Sequence, residues 1–149
     1  MWSEQFLLLT MRILVLCTAN SCRSQMAHGY LAHFAGRRAE ILSAGVRADG
    51  VNPRAIAVMK EDGIDISHHT SNHLDEYRDV KLDHVITVCD NARKACPWFP
   101  THAHHHHHSF EDPALVQGTE AEIMDAFRRV REEIKVYCRE FVERHVLVL

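Results

Sequence analysis

The sequence predicts an α/β fold, a four-stranded parallel sheet flanked by helices on both faces. Three observations carry that expectation. Short apolar or alternating runs near residues 13–16, 39–44, 82–89 and 104–110 take turns with helical patterns, and such alternation implies parallel strands joined by right-handed crossovers. The first run passes through small polar residues, Thr18-Ala19-Asn20-Ser21, straight into a helical pattern. Finally, Cys17, Ser43, Cys89 and Asp112 all fall at or just past expected strand ends, where folds of this class gather their sites.

Taken in order, residues 1–10 read as an extension ahead of the first strand, whose apolar core is Ile13 to Leu16. A helix follows from about Ser24 to Phe34, with Gly36 as its stop. Ala39 to Ala44 is a second strand. Asn52-Pro53 opens the next helix, with proline in its first turn and Gly63 at its end. A connector, Ile64 to Ser71, leads to a short polar helix near Asn72 to Tyr77. Leu82 to Cys89 is the third strand. Residues 90–96 favour a helical turn or two, cut at Pro97 because the residue before proline resists the helical region. Trp98-Phe99-Pro100 is a loop, His104 to Phe110 the fourth strand, and Asp112-Pro113-Ala114 a turn. Thr119 with Glu122 has capping-box spacing. From there Ile123, Phe127, Val130, Ile134, Tyr137 and Phe141 recur at helical spacing, one stripe for packing on the sheet. Met124 and Cys138 belong to that helix's core or flank.

The chain of 149 residues is expected to form a single domain over 11–149, with apolar residues at 46% and charged ones at 25%. A net charge of −3 argues against broad nucleic-acid affinity, so any anion site must be local. Five cysteines (17, 22, 89, 96, 138) are an odd number in a chain without a convincing export signal. That favours a reducing compartment, the cytoplasm, with thiols kept for chemistry. No stretch is long enough to span a membrane.

The central stretch is Cys17 to Ser24. Small residues let the loop curl with its backbone N–H groups inward, and those donors plus the positive end of the following helix make a cradle for a tetrahedral oxyanion. Arg23 adds a two-pronged donor. Cys17, at the floor, is expected to ionise below the ordinary thiol range. Asp112, in a stiff turn, is either a plain turn residue or a general acid for a departing oxygen. Cys89 and Cys96 are ordinary buried thiols or partners of Cys17. In a helix, seven residues at ~1.5 Å each separate them by about 10 Å, whereas a disulfide needs Cα atoms within roughly 7 Å. The pair bonds only if the segment unwinds, and Asp90-Asn91 with Pro97 make a weak helix.

These residues resemble the thioredoxin-coupled arsenate reductases, which share the low-molecular-weight tyrosine phosphatase fold. The matching pieces are Cys17 to Ala27, Ser43-Ala44-Gly45, Gly50 to Ala55, Ile64 to Ser71, Val85 to Asp90, Cys96-Pro97 and Phe110 to Ala114. Ser24-Gln25, in place of the phosphatases' Ser-Pro, and the Cys89/Cys96 pair point to the reductase side. The resemblance implies that Cys17 attacks arsenic and Asp112 helps water leave. Cys89 then attacks Cys17 and releases arsenite. Cys96 attacks Cys89, and the resulting disulfide is carried to the surface for reduced thioredoxin. It further implies that Arg23 and the loop residues Thr18, Ala19, Asn20, Ser21, Cys22 and Ser24 hold the oxyanion, with Ser24 also hydrogen-bonded to Cys17.

Three positions depart from the family pattern. Some members bind potassium through Asn, Glu, Ser and Asp; the matching positions here are Asn20, His28, Ser43 and Asn72, so both carboxylates are gone and no tight potassium site is expected. Ala19 replaces the common loop glycine, which limits the backbone if that position needs positive φ. His104 to His108 form a run that a strand would split between two faces, so no metal site is expected there. A monomer without bound cofactor is expected. The rival readings are a phosphatase that hydrolyses aryl or protein tyrosine phosphates through a Cys17 phosphoenzyme, and a non-catalytic redox or metal-responsive protein. Only the last predicts activity that survives loss of Arg23.

Overall fold

The structure is a computed structural model, and it describes residues 11–95 and 102–148. The expectations for residues 1–10, Cys96, and the Trp98-Phe99-Pro100 loop lie outside the described residues. The sheet holds four parallel strands, β1 (Met11–Cys17), β2 (Ala39–Gly45), β3 (His84–Thr87) and β4 (His104–His107), in the order β2-β1-β3-β4. Its helices are α1 (Arg23–Ala35), α2 (Pro53–Glu61), α3 (Asp90–Ala95) and α4 (Glu120–His145).

Central β1 shows why the sheet needs two covers. Successive strand residues face opposite sides, yet Ile13, Leu14, Val15 and Leu16 are all fully buried. Both faces must therefore be packed, as expected of parallel sheets. α1 lies against β1, β2 and α4, burying Met26, Tyr30 and Leu31. α4 adds Phe127, Val130, Ile134 and Phe141 to the same core.

The helix boundaries follow local chemistry. α1 stops at Gly36, whose φ of 58° suits glycine. Asn52 Oδ1 accepts from Arg54 N at 2.8 Å and Ala55 N at 3.4 Å, capping α2, with Pro53 in the first turn. The Thr119/Glu122 capping box forms as its spacing predicts and starts α4. The expected helix near Asn72 to Tyr77 is a shorter 3-10 turn, Leu74–Tyr77, capped by His73.

Two strands are shorter than expected. β3 ends at Thr87, because the chain bends at Cys89 into α3, although Val88 N still donates to Leu16 O at 3.0 Å. β4 ends at His107, while His108 N to Thr87 O (3.0 Å) and Phe110 N to Val88 O (3.1 Å) carry pairing onward. The histidines of β4 do divide. His106 faces His84 and His145, with His84 Nδ1 and His106 Nε2 2.9 Å apart. His107 instead meets Thr87 and Asp90. No described helix is long and apolar enough to cross a membrane.

Candidate active site

The strand order changes direction between β1 and β3, and the carboxyl ends of these two strands open the crevice where ligands of such folds bind. Cys17 ends β1 and Cys89 follows β3. A cavity of about 590 Å³ sits there, walled by the loop after β1, by Cys89 to Asn91, and by Asp112.

The loop is held from outside. Thr18 O accepts from Arg47 N, Ala19 O from Asp49 N and Ser21 O from Asn52 N, at 2.9 to 3.1 Å. Asn20 O accepts from Gln25 Nε2 at 3.1 Å and from Ser71 Oγ at 2.9 Å. In a trans peptide the following N–H points opposite to the C=O, and the described residues contain no cis bond. With the carbonyls drawn outward, the N–H groups turn to the other side. α1 begins there with no side-chain cap and no acidic residue in its first turn, so its positive end is free to serve an anion.

The residue that takes positive φ is Asn20 (48°), not Ala19. Asparagine tolerates this region far better than alanine. The substitution of alanine for the usual glycine at position 19 is therefore harmless to the loop. Asn20 is fully buried, donates Nδ2 to Ser24 Oγ at 2.9 Å, and accepts from Asn72 N at 2.8 Å.

The predicted oxyanion residues thus divide. Thr18, Ala19, Ser21, Cys22 and Arg23 line the cavity, whereas Asn20 and Ser24 lie behind it and hold its shape. Ser24, expected to bond Cys17, is instead the acceptor of Asn20, and the Thr18 backbone favours the Cys17 thiolate.

Cys17 and Cys89 are both buried and line the same cavity, where each thiol acts on the other. The Cys89 thiol and then burial push Cys17 up, against the pull of Arg23. The Cys17 thiol in turn draws Cys89 well below the ordinary thiol value, helped by Thr18 Oγ1 at 3.2 Å and Ala92 N at 3.4 Å. The expected depression therefore belongs to the pair. Of the two thiols, Cys89 is the one its surroundings favour as thiolate. Sequence reasoning missed this because it priced Cys17 against Arg23 and the loop alone.

Arg23 donates Nη1 to Phe110 O at 3.1 Å and pairs through Nη2 with Asp112 Oδ2 at 3.4 Å. Its Nε is buried with no protein partner, a donor left for a ligand. Asp112 Oδ1 accepts from Ala114 N at 3.0 Å and from the Cys22 thiol at 3.5 Å. Burial, then the Asp112 charge, pushes Cys22 up to about 12, so it stays a thiol. Cys138 is a core thiol facing Ala27 O, away from the cavity.

The four positions that match the family's potassium ligands form two pairs, and neither fits a cation. His28 Nδ1 lies 2.9 Å from Ser43 Oγ, while Asn20 Oδ1 accepts from Asn72 N and Asn72 Oδ1 from Thr70 Oγ1. Burial, then His69 and His68, pushes His28 down to about 3. None of the four supplies a carboxylate, and no group of three or more His, Cys, Asp or Glu among the described residues is placed to hold a metal ion.

This buried neutral imidazole has an acid cost. The unfolded chain takes a proton on His28 near pH 6.5, while the folded one refuses it down to about 3. Stability is therefore intact above pH 6.5 and is lost as pH falls toward 3. At pH 5.5 one excluded proton costs about 1.4 kcal/mol, or about 3–6 °C in Tm. His28→Gln is expected to lose that much less Tm than wild type between pH 7.5 and 5.5, read by thermal melts.

The sequence matches the Low molecular weight phosphotyrosine protein phosphatase family over residues 12–146. It is 47% identical over 131 residues to the Arsenate reductase of Bacillus subtilis, spanning 88% of this chain and 94% of that protein. Among solved structures it superposes on an arsenate reductase in the phosphate binding state, with TM-score 0.78, 30% identity, and coverage of 91% and 98% of the two chains. It also superposes on a Corynebacterium glutamicum thioredoxin-dependent arsenate reductase, with TM-score 0.68, 28% identity, and coverage of 91% and 61%.

Proposed function

The chain belongs to the low molecular weight phosphotyrosine protein phosphatase family and is an arsenate reductase within it, and from that premise we propose that it works through a three-cysteine relay closed by thioredoxin. The observation that carries the relay is that the Cys17 and Cys89 thiols line one cavity, each shifting the other's ionisation. A phosphatase needs water beside its nucleophile; here a second thiol stands there.

Arsenate enters the cavity, accepted by the loop N–H groups, the α1 N-terminus and the vacant Nε of Arg23. The Cys17 proton passes to Cys89, which leaves Cys17 as the thiolate. Cys17 attacks arsenic(V) and forms an S–As bond. Asp112, on the cavity wall, passes a proton to the departing oxygen, which leaves as water. Cys89, ionised again, attacks Cys17 Sγ. The S–As bond breaks, its electron pair stays on arsenic, and arsenite leaves as a Cys17–Cys89 disulfide forms. Cys96 then attacks Cys89, frees Cys17, and the Cys89–Cys96 disulfide takes two electrons from thioredoxin. That last exchange requires α3 to unwind. A six-residue helix whose interior bonds are few resists this weakly.

The test is arsenate-dependent NADPH oxidation with thioredoxin and thioredoxin reductase. Wild type is expected to turn over, and Cys89→Ser and Cys96→Ser each to fall to background. Cys89→Ser should stall before arsenite release, and Cys96→Ser should release one equivalent. If wild type is silent while all three proteins hydrolyse an aryl phosphate equally, the protein is a phosphatase instead.

A further inference from the structure

Cys89 is presented by a sharp turn. Thr87 is the last residue of β3, Val88 still pairs with β1, and Asp90 opens α3. A reach of two residues on one side and one on the other decides where the sulfur points. Those flanking residues are tied to a single side chain from a different strand. His107 pairs in register with Thr87 across β3 and β4. Its Nδ1 lies 2.7 Å from Thr87 Oγ1, and its Nε2 lies 3.0 Å from Asp90 Oδ1.

Nε2–H donates to the Asp90 carboxylate, while Nδ1 contacts the Thr87 hydroxyl, which also reaches His106 O at 3.4 Å. The ring is mostly shielded, with 22% of its side chain exposed against 69% for Asp90. The imidazole is thus fixed by the sheet, and Asp90 is the member it restrains. Restraining Asp90 fixes the start of α3, whose Ala92 N–H reaches the Cys89 sulfur at 3.4 Å.

We infer that His107 is a positioning residue for Cys89: one imidazole clamps the two residues that bracket the turn and so aims the thiol at Cys17. This rests on the reading of Cys89 as the second nucleophile. Attack on Cys17 needs sulfur placed in line with the bond that breaks, and small misplacements cost rate steeply. His107 touches no substrate, so its loss should slow the Cys89 step without weakening arsenate capture.

His107→Ala leaves the cavity lining untouched, whereas Asp90→Ala leaves the sheet intact but removes an exposed carboxylate that also walls the cavity. Each is expected to lower kcat for arsenate about tenfold or more, with KM not raised. Asp90→Asn keeps a partner for Nε2 and should recover most of the rate. The double variant should be no slower than the worse single, since both remove one contact.

A second readout needs no arsenate. In a Cys96→Ser background, diamide takes up the two hydrogens lost as Cys17 and Cys89 join, and mass spectrometry follows that disulfide. Its formation should slow in Asp90→Ala by a similar factor. Unchanged rates in both assays, a loss confined to KM, or an Asp90→Asn variant as slow as Asp90→Ala would each overturn the inference. Slowed disulfide formation in a protein that does not turn over arsenate would sink the relay reading while the positioning role stands.

Discussion

Arg23→Ala is expected to abolish arsenate turnover, with kcat/KM lower by about a thousandfold or more. Removing one preorganised oxyanion donor commonly costs ~10²–10³ in rate, and Arg23 offers more than one. Its guanidinium is a buried cation at the cavity, its Nε has no protein partner, and its other nitrogens are anchored to Phe110 O and Asp112. The anchors hold the free donor still before any anion arrives. Loss of the side chain also removes the charge that favours ionisation of both Cys17 and Cys89. Arg23→Lys should rescue little, because a lysine ammonium cannot meet Phe110 O, Asp112 and an oxyanion in one plane. Steady-state kinetics with calorimetric titration of phosphate would check this. Phosphate binding should fall together with turnover. Turnover that survives in Arg23→Ala would show that the oxyanion does not depend on this guanidinium.

Gly45→Ala should come close to that loss by a different route. Gly45 closes β2 beside Cys17, its register partner. A methyl group at this position would sit 2.5 Å from Arg47 O and 2.7 Å from both Asn20 N and Thr18 O. All three are backbone atoms, so no side chain can rotate away. The 45–52 segment and the anion loop would have to separate, and the bonds that turn the loop carbonyls outward would lengthen with them. A stability loss of about 1–3 kcal/mol is expected from overpacking, with turnover down by about a hundredfold as the loop donors lose their aim. Thermal melts and kinetics on the same protein would check both. A variant that melts lower but works normally would show that the loop does not need its brace.

Much of the fold was legible because it rests on local signals. The alternation of strands and helices, Asn52-Pro53 ahead of α2 and the Thr119/Glu122 spacing each act within a few residues, and each element formed where they placed it. The Cys17-to-Arg23 loop was legible for the same reason. What escaped depends on residues far apart in the chain. The left-handed position fell on Asn20 rather than Ala19, since its side chain finds partners at Ser24 and Asn72. The sign at Cys17 escaped because Cys89 reaches it only once β1 and β3 pair. His107 was one histidine among five in a run, and nothing local marks it from its neighbours. Its register partner Thr87 and its acceptor Asp90 single it out only in three dimensions.

The outward bracing of the anion loop also says when the loop can form. Ser71 Oγ donates to Asn20 O and Asn72 N to Asn20 Oδ1, from 51 and 52 positions away. The chain out to Asn72 must dock before the cradle can close. An oxyanion recognises only that finished shape. Its binding therefore lengthens the native lifetime instead of hastening folding. A cell that meets arsenate, or holds ample phosphate, would keep each copy of this protein folded and beyond the reach of proteases for longer.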